Sequence, residues 1–253
     1  MIDAFPLLLL IAFAVGVMIG AVSIGGILLI PALAALGGLG MQEAMATALF
    51  TFAFTGITGT FLFQRKGSID WRITVPVCAG VLPFAFVGAW LNALSRPQIL
   101  TALLGAIILF AGAYTLASWH GRQRTALADR PRAQQALLGG IGAVSGLGAG
   151  WTGVGGPVLS VPIMVLFGFP ALASIGAGQV IQIVAAITGT LGNLAFGAID
   201  FALAVPVATA EIAGVVAGAA IGHAVNQLVL RRFVGVLCVP VGGFLFARAF
   251  GWL

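Results

Sequence analysis

Ser23-Ile24-Gly25-Gly26-Ile27-Leu28-Leu29-Ile30-Pro31 and Thr152-Gly153-Val154-Gly155-Gly156-Pro157-Val158-Leu159-Ser160-Val161-Pro162 are two versions of one stretch. Each sets a pair of glycines inside a long apolar segment, where a helix would otherwise run on. Glycine lets the backbone leave helical geometry. At membrane depth such a break survives only where protein or a polar cavity encloses it. The two breaks therefore mark a candidate binding site.

The surrounding composition sets the solvent. With 61% hydrophobic and 7% charged residues in 253, and a mean hydropathy of +1.18, the chain has more apolar surface than a soluble domain of this length can hide. It reads as an integral membrane protein. The net charge of +5 sits in short gaps between apolar runs, a pattern that sets membrane orientation and does not call for a nucleic-acid partner. Cys78 and Cys238 lie inside apolar segments and read as small buried hydrophobes, with no disulfide or metal role. The first 22 residues lack a basic leader and a small-residue cleavage pattern, so they read as a retained first membrane segment.

Apolar runs cover 4–22 (continuing past the break to 36), 42–63, 73–94 and 98–118; a polar connection follows, and then come 136–152 (continuing to 167), 171–196, 201–225 and 233–250. A crossing needs about 20 residues. The expectation is an all-α polytopic membrane protein with two repeats of about four hydrophobic segments, each repeat opening on a glycine-broken segment. The first repeat spans 1–118, the connecting loop 119–133 and the second repeat 134–253.

The halves also match residue by residue. At an offset of 131, Gly25, Leu28, Pro31 and Gly37 meet Gly156, Leu159, Pro162 and Gly168; at 130, Gly67, Ile69, Asp70, Pro76, Gly88, Gly105 and Gly112 meet Gly197, Ile199, Asp200, Pro206, Gly218, Gly235 and Gly242. Duplicated halves with interruptions at corresponding positions point to a transporter whose substrate lies at the repeat interface. Putting the gaps at 64–72, 119–133 and 226–232 in the cytoplasm places nine of the eleven basic residues inside, against eight for parallel halves. The count favours inverted halves.

Glu211 is the one ionisable residue central to a span, and burying such a group costs at least about 2.5 to 3.5 kcal/mol. It is the candidate for carrying a coupling proton, while Glu43 and His223 lie near segment ends. Only Arg248, near the last segment's end, approaches a span as a cation. An anion would therefore rest on backbone N–H groups, helix N-termini, hydroxyls and amides. Helices restarting at Gly25-Gly26 and Gly155-Gly156 expose unpaired N–H groups and positive dipole ends. Ser23, Thr47, Thr51 and Thr55 on one side, and Trp151, Thr152, Gln179, Gln182 and Asn193 on the other, are candidates to complete the pocket. Gln179 and Gln182 share a helix face and can point amide donors at one oxyanion. For each threonine the plainer role is a bond back to a helix carbonyl.

The doubled Gly-Gly-x(4 or 5)-Pro, followed by an alanine-rich span and then Gly-Ser-Ile-Asp-Trp (67–71) or Gly-Ala-Ile-Asp-Phe (197–201), resembles the TauE/SafE sulfite exporter family over nearly the whole chain. The resemblance implies transport of sulfite, thiosulfate, an organosulfonate or a related small anion across the bacterial inner membrane without ATP hydrolysis. Pro157 departs from the first repeat and removes one donor, so the halves should contribute unequally. A passive channel, or a carrier for a carboxylate, neutral or cationic solute, stays open as an alternative. A hydrolase is disfavoured, because neither Ser23 nor Ser145 sits in a glycine-flanked nucleophile motif. No phosphate-binding loop is present, scattered His and Cys argue against a metal, and no cofactor is expected. The partners expected are a small anionic substrate and the lipid bilayer, with a homodimer possible through glycine-rich faces.

Overall fold

The computed structural model describes residues 5–23, 26–116, 126–127, 129–224 and 227–251. Among them are ten α-helices and no strand: α1 (Phe5–Val22), α2 (Leu29–Leu36), α3 (Met41–Arg65), α4 (Trp71–Leu94), α5 (Pro97–Leu116), α6 (Pro131–Thr152), α7 (Pro157–Leu166), α8 (Ala171–Phe196), α9 (Phe201–Ala224) and α10 (Gln227–Ala249). A 3₁₀ turn over Gly26–Leu28 leads into α2. Six of the helices are long and apolar enough to cross a membrane, namely α1, α3, α4, α5, α8 and α9. The helices α6 and α10 begin five or six residues before the apolar runs at 136 and 233. Each takes in polar residues ahead of the run, Arg132 and Gln134 in one and Gln227, Arg231 and Arg232 in the other. Hydropathy marks the lipid-facing middle of a helix and misses such residues, and Pro131 suits a first helical position.

The doubled Gly-x-Ile-Asp motif now has a physical reason. Asp70 Oδ1 accepts from Arg72 N at 2.9 Å and Asp200 Oδ1 from Leu203 N at 2.9 Å, so each aspartate caps the helix that follows. Gly67 and Gly197 end the preceding helices.

Close glycine contacts fix the helix directions. Gly16 and Gly20 of α1 press on the backbone of Glu211 and Val215 in α9, while Gly214 and Gly218 press back on Phe13 and Val17. These helices run parallel. The same device joins α4 to α6: Gly80 and Gly88 meet Gly139 and Leu147, and Gly142, Gly146 and Gly150 meet Val77, Val81 and Ala85. These two are also parallel. Gly59 lies on Gln179 and Gly189 on Leu49, so α3 and α8 are antiparallel, as are α5 and α10 by way of Gly105 on Phe246 and Gly112 on Val239. Following the chain through its tight loops, α1, α3 and α9 point one way and α4, α6 and α8 the other. Matching segments of the two halves thus run in opposite senses.

Because α1 and α3 share a direction, the chain must recross between them. It does so with the 3₁₀ turn, the eight residues of α2 (about 12 Å at 1.5 Å per residue) and the segment Gly37–Gly40, which reaches at most about 14 Å. Residues 153–170 return the chain in the same way through α7. The tight α1–α9 and α4–α6 seams use within the chain the glycine faces that suggested a dimer. Arg65, Lys66, Arg72, Arg130, Arg132 and the first turns of α10 collect at one end of the bundle, with Arg96 and Arg248 at the other. Arg122 and Arg124 fall outside the described residues.

The seams make a sharp expectation. Gly142→Ala would drive a methyl into the Val77 carbonyl, whereas Gly140, two residues away, has open space around its Cα. Thermal melts in detergent should show Gly142→Ala destabilised by about 1 to 3 kcal/mol and Gly140→Ala unchanged or slightly stabilised.

Candidate functional site

Both breaks end a long helix on a left-handed residue. Ser23 has φ 58° after α1, and Gly153 has φ 69° after α6. Their N–H groups close the last turns onto Ile19 O (2.9 Å) and Ala149 O (2.8 Å). For Gly153 the conformation carries no penalty and lets the chain lie against the Met45 backbone. A serine there is strained and must be held in place. Ser23 Oγ donates to Ile175 O at 3.1 Å and accepts from Gln179 Nε2 at 2.6 Å, which also donates to Ile19 O at 3.1 Å. Gln179 therefore spends its amide on the end of α1. Its Oε1 has no hydrogen-bond partner and lies against the Cα of Gly59.

Gln182 is spent in a similar way. Its Nε2 donates to Thr55 Oγ1 at 2.7 Å and, more loosely, to Phe52 O at 3.4 Å. The two glutamines do share a face, as their spacing requires, but in this conformation their donors tie α8 to α1 and α3 and leave none pointing at a ligand. The threonines mostly take the plainer role. Thr51 bonds to Ala48 O (2.9 Å), Thr55 to Phe52 O (3.2 Å) and Thr152 to Gly148 O (2.7 Å). Thr47 Oγ1 accepts from Asp200 N at 3.0 Å and so holds the start of α9. Trp151 donates from Nε1 to Ser95 Oγ at 2.9 Å, anchoring the end of α6 to the end of α4. Asn193 is eleven residues beyond Gln182 on α8, about 16 Å along the axis, and belongs to that helix's far end. Gly25 lies outside the described residues.

What the structure does bring together is the pair of restarts. Both half-length helices begin against the ring of Phe52, halfway along α3. A Cβ added at Gly26 would fall 2.7 Å from the ring's Cζ, and one at Gly155 3.4 Å from its Cδ2. From that point α2 rises towards one membrane face and α7 descends towards the other, so their positive dipole ends converge on one place. At the second break the N–H groups of Val154, Gly155, Gly156 and Val158 donate to no described group, and all four residues are buried. Orphaned N–H groups at such depth are rare and costly. Phe52 gives no hint in the sequence, being one of 18 phenylalanines. Asn92 was also not foreseen. Its Nδ2 donates to Trp151 O at 2.7 Å and covers a carbonyl left open where α6 stops.

Next to Phe52, Thr51 adjoins Glu211 of α9. The Thr51 proton goes to Ala48 O, which leaves both Glu211 carboxyl oxygens fully buried with no hydrogen-bond partner. The helices packed on that stretch of α9 are α1, which has no ionisable residue over 5–22, and α3, whose Glu43 and Arg65 lie near its two ends.

Two grooves open at opposite ends of the bundle. One of about 680 Å³ follows α2 from Leu39 to Pro31, walled by α5 and α10, with Arg248 on its rim. The other, of about 570 Å³, lies at the basic end between Gly67–Arg72 and Pro170–Ala173, where α7 has just ended.

The family profile described as Sulfite exporter TauE/SafE matches residues 8–245. The chain belongs to the TauE/SafE family. Among relatives of this family member, the probable membrane transporter protein YdhB of Bacillus subtilis is 25% identical, over 94% of this chain and 98% of its own length. The probable membrane transporter protein YunE of the same organism is 26% identical over 92% of this chain and 93% of its own. A third, the probable membrane transporter protein MJ0441 of Methanocaldococcus jannaschii, is 24% identical over 92% and 93%. No solved structure matches. The TauE/SafE chain described here is thus a multi-pass membrane protein of a transporter family.

The strained serine yields a test. Ser23→Ala keeps the left-handed position and strands the Gln179 amide, so it should lose about 1 to 3 kcal/mol of stability. Ser23→Gly strands the same donor but relieves roughly 1 kcal/mol of backbone strain. Chemical denaturation in mixed micelles should rank wild type above Ser23→Gly and Ser23→Gly above Ser23→Ala; the reverse order for the two variants would show that φ is not under strain.

Proposed function

We propose that this protein is a secondary transporter for a small sulfur-containing anion, such as sulfite, thiosulfate or a short organosulfonate, bound where α2 and α7 begin. The observation that carries the reading is the convergence of two half-length helices, N-terminus to N-terminus, on one buried point, with orphaned N–H groups at the second break. A donor set without a fixed cation suits an anion that must be released again. Strong binding by a buried arginine would slow its departure. Family membership supports the sulfur chemistry. The opposed directions of matching helices support alternating access.

The basic end of the bundle is placed in the cytoplasm, with Arg96 and Arg248 outside, and the membrane is the bacterial inner membrane. Glu211 is assigned the coupling proton. An acid that deep, without a partner and beside the helix that carries Phe52, is costly to keep without use.

The first experiment is a thermal-shift screen of the purified protein against sulfite, sulfate, thiosulfate, sulfonates, carboxylates and cations. An anion at a hundred times its Kd should add about 2.7 kcal/mol of apparent stability. Stabilisation by sulfur oxyanions alone is the expected result; a response only to a carboxylate, a cation or a neutral solute removes the sulfur assignment.

Proteoliposome flux then tests coupling. Wild type should accumulate substrate against its gradient when a pH difference is imposed, which a passive channel does not do. Glu211→Gln should still exchange substrate but lose that accumulation, and unchanged accumulation would take the proton role from Glu211.

A further inference from the structure

An aromatic ring lies between the two helix starts. We propose that Phe52 is the gate of the anion site: its ring occupies the anion's place when the protein is empty and must leave for the anion to enter. This rests on the anion reading of the two helix starts.

Four observations converge on that residue. The ring meets both breaks at once, its tip at Gly26, where a Cβ would overlap it, and its edge at Gly155, where a Cβ would just touch it and a φ of 79° disfavours a side chain. Phe52 is 1% exposed, so the ring and its neighbours exclude water from the orphaned N–H groups of residues 154–158. Its main chain is held while its ring carries no polar tie: the carbonyl accepts from Thr55 Oγ1 and Gln182 Nε2, and the ring is bounded by glycines on two sides. Rotation about the side-chain bonds is thereby the cheap motion and displacement of the helix the expensive one. Finally, Phe52 corresponds to Gln182 at an offset of 130 or to Ile183 at 131, neither of them aromatic, so the ring comes from one half only, while Gln182 of the other half donates to its carbonyl.

The same geometry limits the cargo. The space one phenyl ring vacates admits a solute of a few heavy atoms, so a small oxyanion or a short sulfonate fits and a long-chain sulfonate does not.

Water access to the 154–158 amides reads the gate directly, with no substrate required. These groups lack hydrogen-bond protection, so burial is what slows their exchange. Hydrogen–deuterium exchange of the full chain in lipid nanodiscs would be followed over peptides covering 153–160, with 139–147 in the α4–α6 seam as reference, for wild type, Phe52→Leu and Phe52→Ala, each with and without sodium sulfite. Exchange at 154–158 should be at least tenfold faster in Phe52→Ala, intermediate in Phe52→Leu, and unchanged in the reference peptide. Wild-type rates in folded Phe52→Ala, or equal acceleration in the reference peptide, overturn the gate and reduce Phe52 to ordinary core. Should Phe52→Ala not fold, the Phe52→Leu comparison decides on the same criterion. Faster exchange that sulfite does not slow keeps the gate and removes the sulfite reading. Sulfite protection in wild type, with no acceleration in either variant, keeps the anion and removes the gate.

Discussion

An N–H group without a partner cannot face hydrocarbon, and this chain stops its helical ladder at mid-depth in two places. That constraint shapes the rest of the bundle. The broken segments must be enclosed, so α3 and α8 cross beside them and the long helices close around the outside. Enclosure at such short range needs backbones in contact, which explains the glycine stripes of α1, α4, α6 and α9. Each stripe meets carbonyls that a methyl group would overlap. The stripes belong to packing; the glycines at 153–156 belong to the proposed anion site.

Much of this was legible in the residues, and the reasons differ from part to part. The number and class of the helices follow from apolar run length. The breaks follow from paired glycines, and the starts of α4 and α9 from Asp70 and Asp200, which cap through their own local backbone. Orientation was legible only faintly, because a count of nine basic residues against eight hardly separates the alternatives. What decides it is which glycine lies on which group of the facing helix, across sequence separations from 59 (Gly80 to Gly139) to 201 (Phe13 to Gly214). The glutamines illustrate a subtler limit. Their spacing correctly placed them on one face, but whether an amide donates to a ligand or to the protein depends on what faces it. Here the facing groups are Ile19 O and Ser23 Oγ for one, and Phe52 O and Thr55 Oγ1 for the other. Phe52 itself was invisible for the same reason, since a phenylalanine in an apolar helix carries no mark until the opposing glycines are in place.

The two halves are not interchangeable in mechanical terms. The first break is pinned by a strained serine with two side-chain bonds, whereas the second rests on a glycine at the same left-handed position. Proline at the start of α7 adds to the contrast, holding that helix start rigid without contributing a donor.

The parallel seam between α1 and α9 also bears on how the protein is made. The glycine face of α1 belongs against a helix that begins only at Phe201, so at 5–20 residues per second the ribosome needs roughly ten to forty seconds to deliver its partner. Meanwhile α1 stands alone in lipid. It is the most apolar of the six candidate spans and carries no charge over Phe5–Val22, which makes the wait tolerable. The mirror seam forms quickly, since α6 follows α4 after a single intervening helix. Assembly therefore proceeds from the middle of this stretch outward, and α1 is locked in place well after it is made.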